Sequence, residues 1–312
     1  MLHAMKHSVI NRPADDGDRS SLWKRVASLV PLLLLPAIVS LVHPLAPWQL
    51  MWALSIAIFF ACKWETWLRA EVSRIRATIW RDFGYLFLWP GMDAAAFLGR
   101  RDRVPVPGAT EWLSAAARTL CGVILVWYVA RQAVSIGVPP LLDGWIGMVG
   151  LILTLHFGAF HLLSLAWRAA GVDAQPIMRA PMLATSLSEF WGRRWNLGFR
   201  QLSHSLIFQP IRRRLGPPAA TLAAFFVSGL IHDLVISLPA GGGYGLPTGY
   251  FVLQGIGVLV ERSALGKRAG IGSGVRGWVF TLLLTAGPAF WLFHPVFVRQ
   301  VMLPFFAWIG SA

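Results

Sequence analysis

A histidine followed directly by an aspartate lies inside an otherwise apolar segment of the sequence, Ala219 to Pro239. A segment of this length can cross a bilayer, where ionisable side chains are costly and mark a functional role. A neutral histidine can take the proton of a hydroxyl group near pH 7. His232 is therefore a candidate general base at membrane depth, with Asp233 beside it.

The loop before this segment, Ser188 to Gly216, combines aromatic and cationic side chains. The aromatic residues are Phe190, Trp191, Trp195, Phe199 and Phe208. The arginines are Arg193, Arg194, Arg200, Arg212, Arg213 and Arg214. The mixture suits an amphipathic helix at the level of the lipid headgroups, and it equally suits recognition of a phosphorylated ligand, because arginine binds phosphate through paired donors. Asn196 stands between two apolar residues and needs hydrogen-bond partners if it is buried.

The composition indicates that a membrane-embedded scaffold positions these residues. The chain has 312 residues, of which 56% are hydrophobic and 13% are charged, whereas soluble domains carry about a quarter charged residues. We predict an all-α polytopic membrane protein with about seven transmembrane helices. These helices are expected near 26–42, 48–63, 110–130, 145–167, 218–239, 248–260 and 277–298.

Two aromatic-rich stretches are too short or too charged to span the bilayer. They run from Tyr85 to Leu98 and from Ser186 to Phe208. We predict that they form re-entrant or interfacial amphipathic segments, since irregular backbone at membrane depth must be buried in protein. Pro90 and Gly91 predict a break in the first of them.

The basic residues predict the orientation in the membrane. The net charge is +14, and Lys and Arg are concentrated in the N-terminal head, in the loop expected from Lys63 onward and in the loop from Arg168 to Gly216. By the positive-inside rule these regions are cytoplasmic, so the N-terminus lies inside and the C-terminus outside. Topology explains the charge better than nucleic-acid binding does. We expect a basic cytoplasmic head over 1–25 and one membrane-embedded domain over 26–312, in the cytoplasmic membrane.

Several short motifs together carry a family resemblance. They are FWGRRWN from Phe190, NLGFRQL from Asn196, QPIRRR from Gln209, FFVSGLIHD from Phe225 and, upstream, LFLWPGMDA from Leu86. In their order and spacing they resemble the membrane-bound O-acyltransferase superfamily, in its wax-synthase-like branch. The core of the resemblance covers 186–240.

The resemblance implies an acyltransferase that moves a fatty acyl group from acyl-CoA to the hydroxyl of a lipophilic alcohol. It implies that His232 is catalytic and that Asn196 is the second functional residue, either orienting the histidine or donating to the oxyanion. Acyl-CoA is then a co-substrate, no other cofactor or metal is needed, and membrane lipids surround the protein. The residues expected to bind acyl-CoA are Trp195, Arg193, Arg194, Arg200, Arg212 and Arg213.

Two alternatives from other classes stay open. A transporter or flippase could use His232 and Asp233 as a proton relay, although paired broken helices in two related halves are not evident. A haem protein could use His156 and His232 as axial ligands. Cys62 and Cys121 lack metal-ligand spacing. The remaining histidines, His43, His161, His204 and His294, are expected to be structural.

Overall fold

The computed structural model describes residues 30–41, 45–72, 78–99 and 103–311, and within them the chain is helical without strands. The expected head at 1–25, His43 and the arginines at 74 and 76 lie outside the described residues. The helices are α1 Val30–Leu41, α2 Pro47–Val72, α3 Ile79–Leu88, α4 Ala94–Leu98, α5 Ala109–Ser135, α6 Pro140–Ala169, α7 Leu187–Glu189, α8 Leu197–Ala240, α9 Leu246–Arg262, α10 Ala264–Ala269 and α11 Gly274–Leu292. A C-terminal segment follows as Pro295–Phe297, Val298–Met302 and Leu303–Trp308.

Four of these helices, α5, α6, α8 and α11, are long and apolar enough to cross a membrane. They confirm the predicted class, an all-α polytopic membrane protein. The count of seven crossings stays a prediction. In the described part of the chain, α1 and α9 have fewer than 18 residues, and α2 is not apolar enough over that length.

Helix α8 corrects the predicted boundary between a loop and a spanning helix. We expected an interfacial segment up to Phe208 and a separate helix from 218, but helical structure begins at Leu197 and continues to Ala240. The junction is a kink at Gly216, whose φ of 80° and ψ of 173° are not helical. Pro217 and Pro218 follow the kink, where their missing N–H groups are tolerated because a helix start leaves those donors free in any case.

Helix α2 corrects the position of Lys63. The charge pattern placed this residue in a cytoplasmic loop from the end of a helix at 63, but α2 continues to Val72 and the Lys63 side chain is fully buried. Its ammonium donates to the carbonyl oxygen of Gly91 at 2.7 Å and lies over the ring of Tyr85. A hydrogen bond and a cation–π contact replace the water that the charge would lose on burial.

The predicted break at Pro90 and Gly91 is confirmed. Helix α3 ends at Leu88, the chain is irregular over 89–93, and α4 begins after Asp93, whose carboxylate accepts from the Ala96 N–H at 2.9 Å. A side chain at Gly198 would touch the backbone of Met92. The irregular stretch therefore packs directly against the start of α8.

One cluster of apolar side chains joins these elements around the candidate site. Its buried members are Ile58 and Cys62 of α2, Met92 of the irregular stretch and Leu202 of α8. Leu234 packs against the same cluster. Both upstream and downstream regions of the family resemblance thus share one core.

Candidate active site

Residues 186–196, here called the Trp-Asn turn, are folded by a short helix and its capping bonds. Ser186 begins the helix, and its hydroxyl accepts from the Glu189 N–H at 3.0 Å. The helix continues as a π-turn over Phe190–Arg194, and the Trp195 N–H closes it on the Phe190 carbonyl. Ser and Thr are favoured at this capping position because the hydroxyl satisfies a free N–H of the first turn.

Glu189 gives the Trp-Asn turn its main charged contact. Its carboxylate accepts from the Thr185 N–H at 2.8 Å and from the Arg194 guanidinium, also at 2.8 Å. The hydrogen bond from the Thr185 N–H is the main cause that holds the pKa of Glu189 below its ordinary value, and the contact with Arg194 lowers it further. Arg194 also donates to the carbonyl oxygens of Arg179 and Ala180, so its guanidinium binds the protein itself.

Asn196 ends the turn in a left-handed backbone conformation, with φ of 43° and ψ of 59°. Asparagine tolerates this region better than most residues do. The Asn196 N–H donates to the Met178 sulfur at 3.3 Å, and the next N–H donates to the Ile177 carbonyl at 3.0 Å. Within the described residues its half-buried side-chain amide forms no hydrogen bond. The amide is thus available to a ligand.

His232 lies near the C-terminal end of α8 with a defined tautomer. Its Nδ1 is 2.7 Å from the carbonyl oxygen of Ser228, one turn earlier. A carbonyl oxygen can only accept, so Nδ1 carries the hydrogen and Nε2 carries the lone pair. The imidazole packs on the ring of Phe251 with centroids 4.3 Å apart. Nε2 has no hydrogen-bond partner in the described part of the chain and can act as a base.

Asp233 points to the next helix, where its carboxylate accepts four hydrogen bonds. Oδ1 accepts from the Ser237 hydroxyl and from the Gly245 N–H, each at 2.8 Å. Oδ2 accepts from the Thr248 N–H at 3.1 Å and from the Thr248 hydroxyl. The carboxylate therefore caps the N-terminus of α9, where free N–H donors and the helix dipole favour a negative charge.

Ser228 and Gly229 lie one turn before His232, where small residues allow either a substrate path or close packing. A side chain at Gly229 would collide with the backbone of Thr248. Gly229 therefore serves the close approach of α8 and α9.

Helix α9 connects the histidine to the Trp-Asn turn. Trp191 of the turn packs against Phe251 at 5.6 Å and donates to the Gln254 side chain at 3.2 Å. At the other end of α9, the buried carboxylate of Glu261 accepts from the Leu187 N–H at the start of the turn. The link from the Trp-Asn turn to His232 runs through Trp191 and Phe251. Among the described residues no hydrogen bond joins the Asn196 and His232 side chains. Sequence reasoning missed Phe251, Gln254 and Glu261; two buried polar residues in an apolar helix were the available signal.

The residues expected to bind acyl-CoA fall into two groups. Trp195 stacks on Phe190 at 5.5 Å and shapes the turn, as does Arg194. The other arginines have exposed side chains without an ion-pair partner in the described part of the chain; they are Arg193, Arg200, Arg212 and Arg213. Their guanidinium groups are therefore free to bind a ligand.

Three other described histidines, His294, His204 and His156, have local contacts. His294 caps a short helix by accepting from the Phe297 N–H, and His204 bonds Gln209 and stacks on Phe208. His156 packs on the ring of Phe160. The described residues contain no group of three or more His, Cys, Asp or Glu side chains that could hold a metal ion.

Fold and site together define an all-helical polytopic membrane protein with a basic imidazole nitrogen and a free amide joined by one helix. Residues 174–253 match the model of a family described as Membrane bound O-acyl transferase family. The matched range includes the Trp-Asn turn, His232 and the Asp233 contacts on α9.

Curated relatives agree with this family match. The chain is 33% identical over 173 residues to the long-chain-alcohol O-fatty-acyltransferase of Simmondsia chinensis, covering 49% of this chain and 48% of that protein. It is 36% identical over 154 residues to the probable long-chain-alcohol O-fatty-acyltransferase 9 of Arabidopsis thaliana, covering 43% of each chain. The chain spans about half the length of these relatives. The resemblance to the membrane-bound O-acyltransferase superfamily, in its wax-synthase-like branch, is confirmed.

Proposed function

We propose that this protein transfers a fatty acyl group from acyl-CoA to the hydroxyl of a lipophilic alcohol, with His232 as general base. The observation that carries the proposal is the tautomer of His232. Its Nδ1–H is used by the Ser228 carbonyl, so Nε2 keeps its lone pair for a substrate proton. The names of the relatives support a fatty acyl donor and a long-chain alcohol acceptor.

The reaction balances with these groups alone. The alcohol oxygen attacks the thioester carbonyl carbon while Nε2 of His232 takes the hydroxyl proton, and the carbonyl electrons move to oxygen. The tetrahedral intermediate then collapses, the carbon–sulfur bond breaks, and the imidazolium returns the proton to the departing thiolate. The products are an ester and coenzyme A, and no cofactor beyond the acyl-CoA co-substrate enters the balance.

We assign the oxyanion contact to Asn196. His232 is already oriented by its own helix through Ser228, so the amide is not needed to hold the imidazole. The free Asn196 amide can donate to the oxygen that becomes negative, a contact worth about 3 to 4 kcal/mol in other acyl-transfer sites. Trp191 and Phe251 would set the distance between the two groups.

The exposed arginines would bind the phosphates of coenzyme A. Phosphate recognition by guanidinium uses paired N–H donors, and Arg193, Arg200, Arg212 and Arg213 keep those donors free. Arg194 would contribute through Glu189, by holding the turn, rather than by direct contact.

The proposed orientation agrees with this arrangement. With the N-terminus in the cytoplasm, the arginines of the Trp-Asn turn and of the first part of α8 would face the compartment that contains acyl-CoA. The acyl chain and the alcohol would then reach His232 from the apolar interior.

A proton relay through His232 and Asp233 would need a carboxylate that exchanges protons. All four bonds to Asp233 come from α8 and the start of α9 and serve to join the two helices. No observation in the described residues favours the relay.

The direct test supplies membranes containing the protein with labelled acyl-CoA and a panel of alcohols. The panel includes long-chain, terpenoid and sterol-like alcohols and glycerides, and the lipids formed are analysed by mass spectrometry. We expect an ester with at least one alcohol, dependent on both substrates. Absence of ester with every alcohol, from protein that is present and folded, would overturn the proposal.

A further inference from the structure

A cavity that is open to the surface lies away from the candidate active site and shares no residue with it. It has a volume of about 560 Å³ and is formed by the connection between α5 and α6 and by the C-terminal segment. Its apolar lining residues are Val134, Val138, Pro140, Leu303, Pro304 and Ala307. The volume lies within the range of ligand sites, about 300 to 1,000 Å³.

Asp143 lines this cavity with a buried carboxylate. Its side chain is 3% exposed, and Oδ1 has no hydrogen-bond partner within the described residues. Buried charged groups are costly unless they are paired, so an unpaired carboxylate at a cavity wall gains from a cationic donor that enters the cavity. The neighbouring Gly144 explains the burial, since a side chain there would collide with Val298 and keep α6 away from the C-terminal segment.

Arg299 supplies an opposite charge at the same cavity. Its exposed side chain lines the wall, and no ion pair joins it to Asp143 or to another described acid. A guanidinium is suited to a phosphate, and a carboxylate is suited to an ammonium that can donate hydrogen bonds. A ligand that satisfies both residues carries a phosphate and an ammonium in the same headgroup, because both residues line one cavity.

We propose that this cavity binds a phosphoethanolamine lipid. The ammonium donates to Asp143, the phosphate accepts from Arg299, and the lipid chain lies along Val134, Val138 and Leu303. The apolar lining favours a lipid over a soluble phosphoethanolamine, because the headgroup alone would leave these side chains uncovered. This binding site is independent of acyl transfer.

The experiment measures lipid retention by native mass spectrometry of the detergent-purified protein. The protein is given equal amounts of phosphatidylethanolamine, phosphatidylcholine and phosphatidylglycerol with identical chains. We expect preferential retention of phosphatidylethanolamine, because the quaternary ammonium of choline cannot donate to Asp143 and glycerol carries no charge for it. Equal retention of the ethanolamine and choline lipids would overturn the proposal.

Variants of Asp143 and Arg299 test the two charged contacts separately. We expect Asp143→Asn to lower retention of the ethanolamine lipid about tenfold, to the level of the choline lipid, and Arg299→Gln to lower retention of all three. Arg268→Gln removes an exposed arginine of α10 outside the cavity and must leave retention unchanged. A preference that survives Asp143→Asn would refute the carboxylate contact.

Two further arms keep the test decisive. Val138→Trp fills the cavity without altering Asp143, and it must also abolish the preference, which covers the case in which Asp143→Asn does not fold. Glycerophosphoethanolamine has the headgroup without chains, and it must compete poorly. Competition equal to that of the lipid would show a soluble ligand and overturn the lipid assignment.

Discussion

His232 and Asn196 each offer one free polar group, but they are held by different kinds of contact. The imidazole is oriented within its own helix by the Ser228 carbonyl, and Asp233 joins that helix to α9 through side-chain bonds. Asn196 is held by backbone bonds and a positive φ, beside the stacked rings of Trp195 and Phe190. At His232 the proposed chemical role and the structural role fall on neighbouring residues, whereas at Asn196 one residue would carry both.

Helix α9 explains how two differently built regions can form one site. Asp233 binds its N-terminal end, Glu261 near its C-terminal end binds the Trp-Asn turn, and Phe251 between them contacts His232. Movement of α9 would therefore shift both regions together. Breaking the contacts one at a time tests this division of roles.

The largest effect is expected for His232→Ala. Loss of the general base should lower ester formation about 10² to 10⁴-fold, since proton transfer by a positioned side chain contributes about this much. Turnover is measured in membranes and normalised to folded protein. The matched control is His204→Ala, which removes an imidazole on the same helix that bonds Gln209 and should leave turnover within about twofold of the unaltered protein. Full activity of His232→Ala would exclude the base.

Asn196→Ala should lower kcat about 10² to 10³-fold with little change in KM, as expected for a donor that acts on the developing oxyanion. It also places alanine at a positive φ, which costs about 1 kcal/mol of stability. The loss of the amide and the strain at the positive φ therefore need separate variants.

Asn196→Gly separates them because glycine accepts the positive φ without strain but has no amide. If the amide is the functional group, the glycine variant folds as stably as the unaltered protein and remains as inactive as the alanine variant. Recovery of kcat in Asn196→Gly would show that the turn alone matters.

Asp233→Asn should act mainly on stability. Its new NH₂ group would face N–H and O–H donors, so about 1 to 3 kcal/mol should be lost, measured as a lower thermal unfolding midpoint in detergent. Thr248→Val removes one of the four donors and should cost less. The double variant should lose less than the sum of both losses, since the two residues contact each other. An unchanged midpoint in Asp233→Asn would contradict the capping role.

Sequence reasoning succeeded where the local chain decides the structure. Pro90 and Gly91 predict the break between α3 and α4 because proline lacks an N–H and glycine adds flexibility. The apolar segments predict the helical membrane class. The roles of His232, Asn196 and the arginines stay predictions that the experiments above test.

Sequence reasoning failed where the hydrogen-bond partner of a residue lies far along the chain. Lys63 is buried because Gly91, 28 residues away, offers a carbonyl, and Asp233 is satisfied by Gly245 and Thr248 of another helix. An amphipathic helical segment was expected up to Phe208, but its continuation through Arg212, Arg213 and Arg214 into the spanning helix as one element was missed. A helix accommodates them when their side chains reach water, as these exposed arginines do.

The smallest expected effect concerns Glu189, whose charged carboxylate stabilises the Trp-Asn turn through Thr185 and Arg194. Its folded pKa lies below the unfolded value of about 4.3, so its contribution to stability is present above that pH and is lost as pH falls through the folded pKa. Glu189→Gln should therefore lower the unfolding midpoint at neutral pH, and the difference from the unaltered protein should shrink below about pH 4. The effect is small because the carboxylate is 25% exposed and water screens the pair with Arg194. The midpoint is measured between about pH 2.5 and pH 7; a difference that stays constant across this range would assign the contact to packing instead of charge.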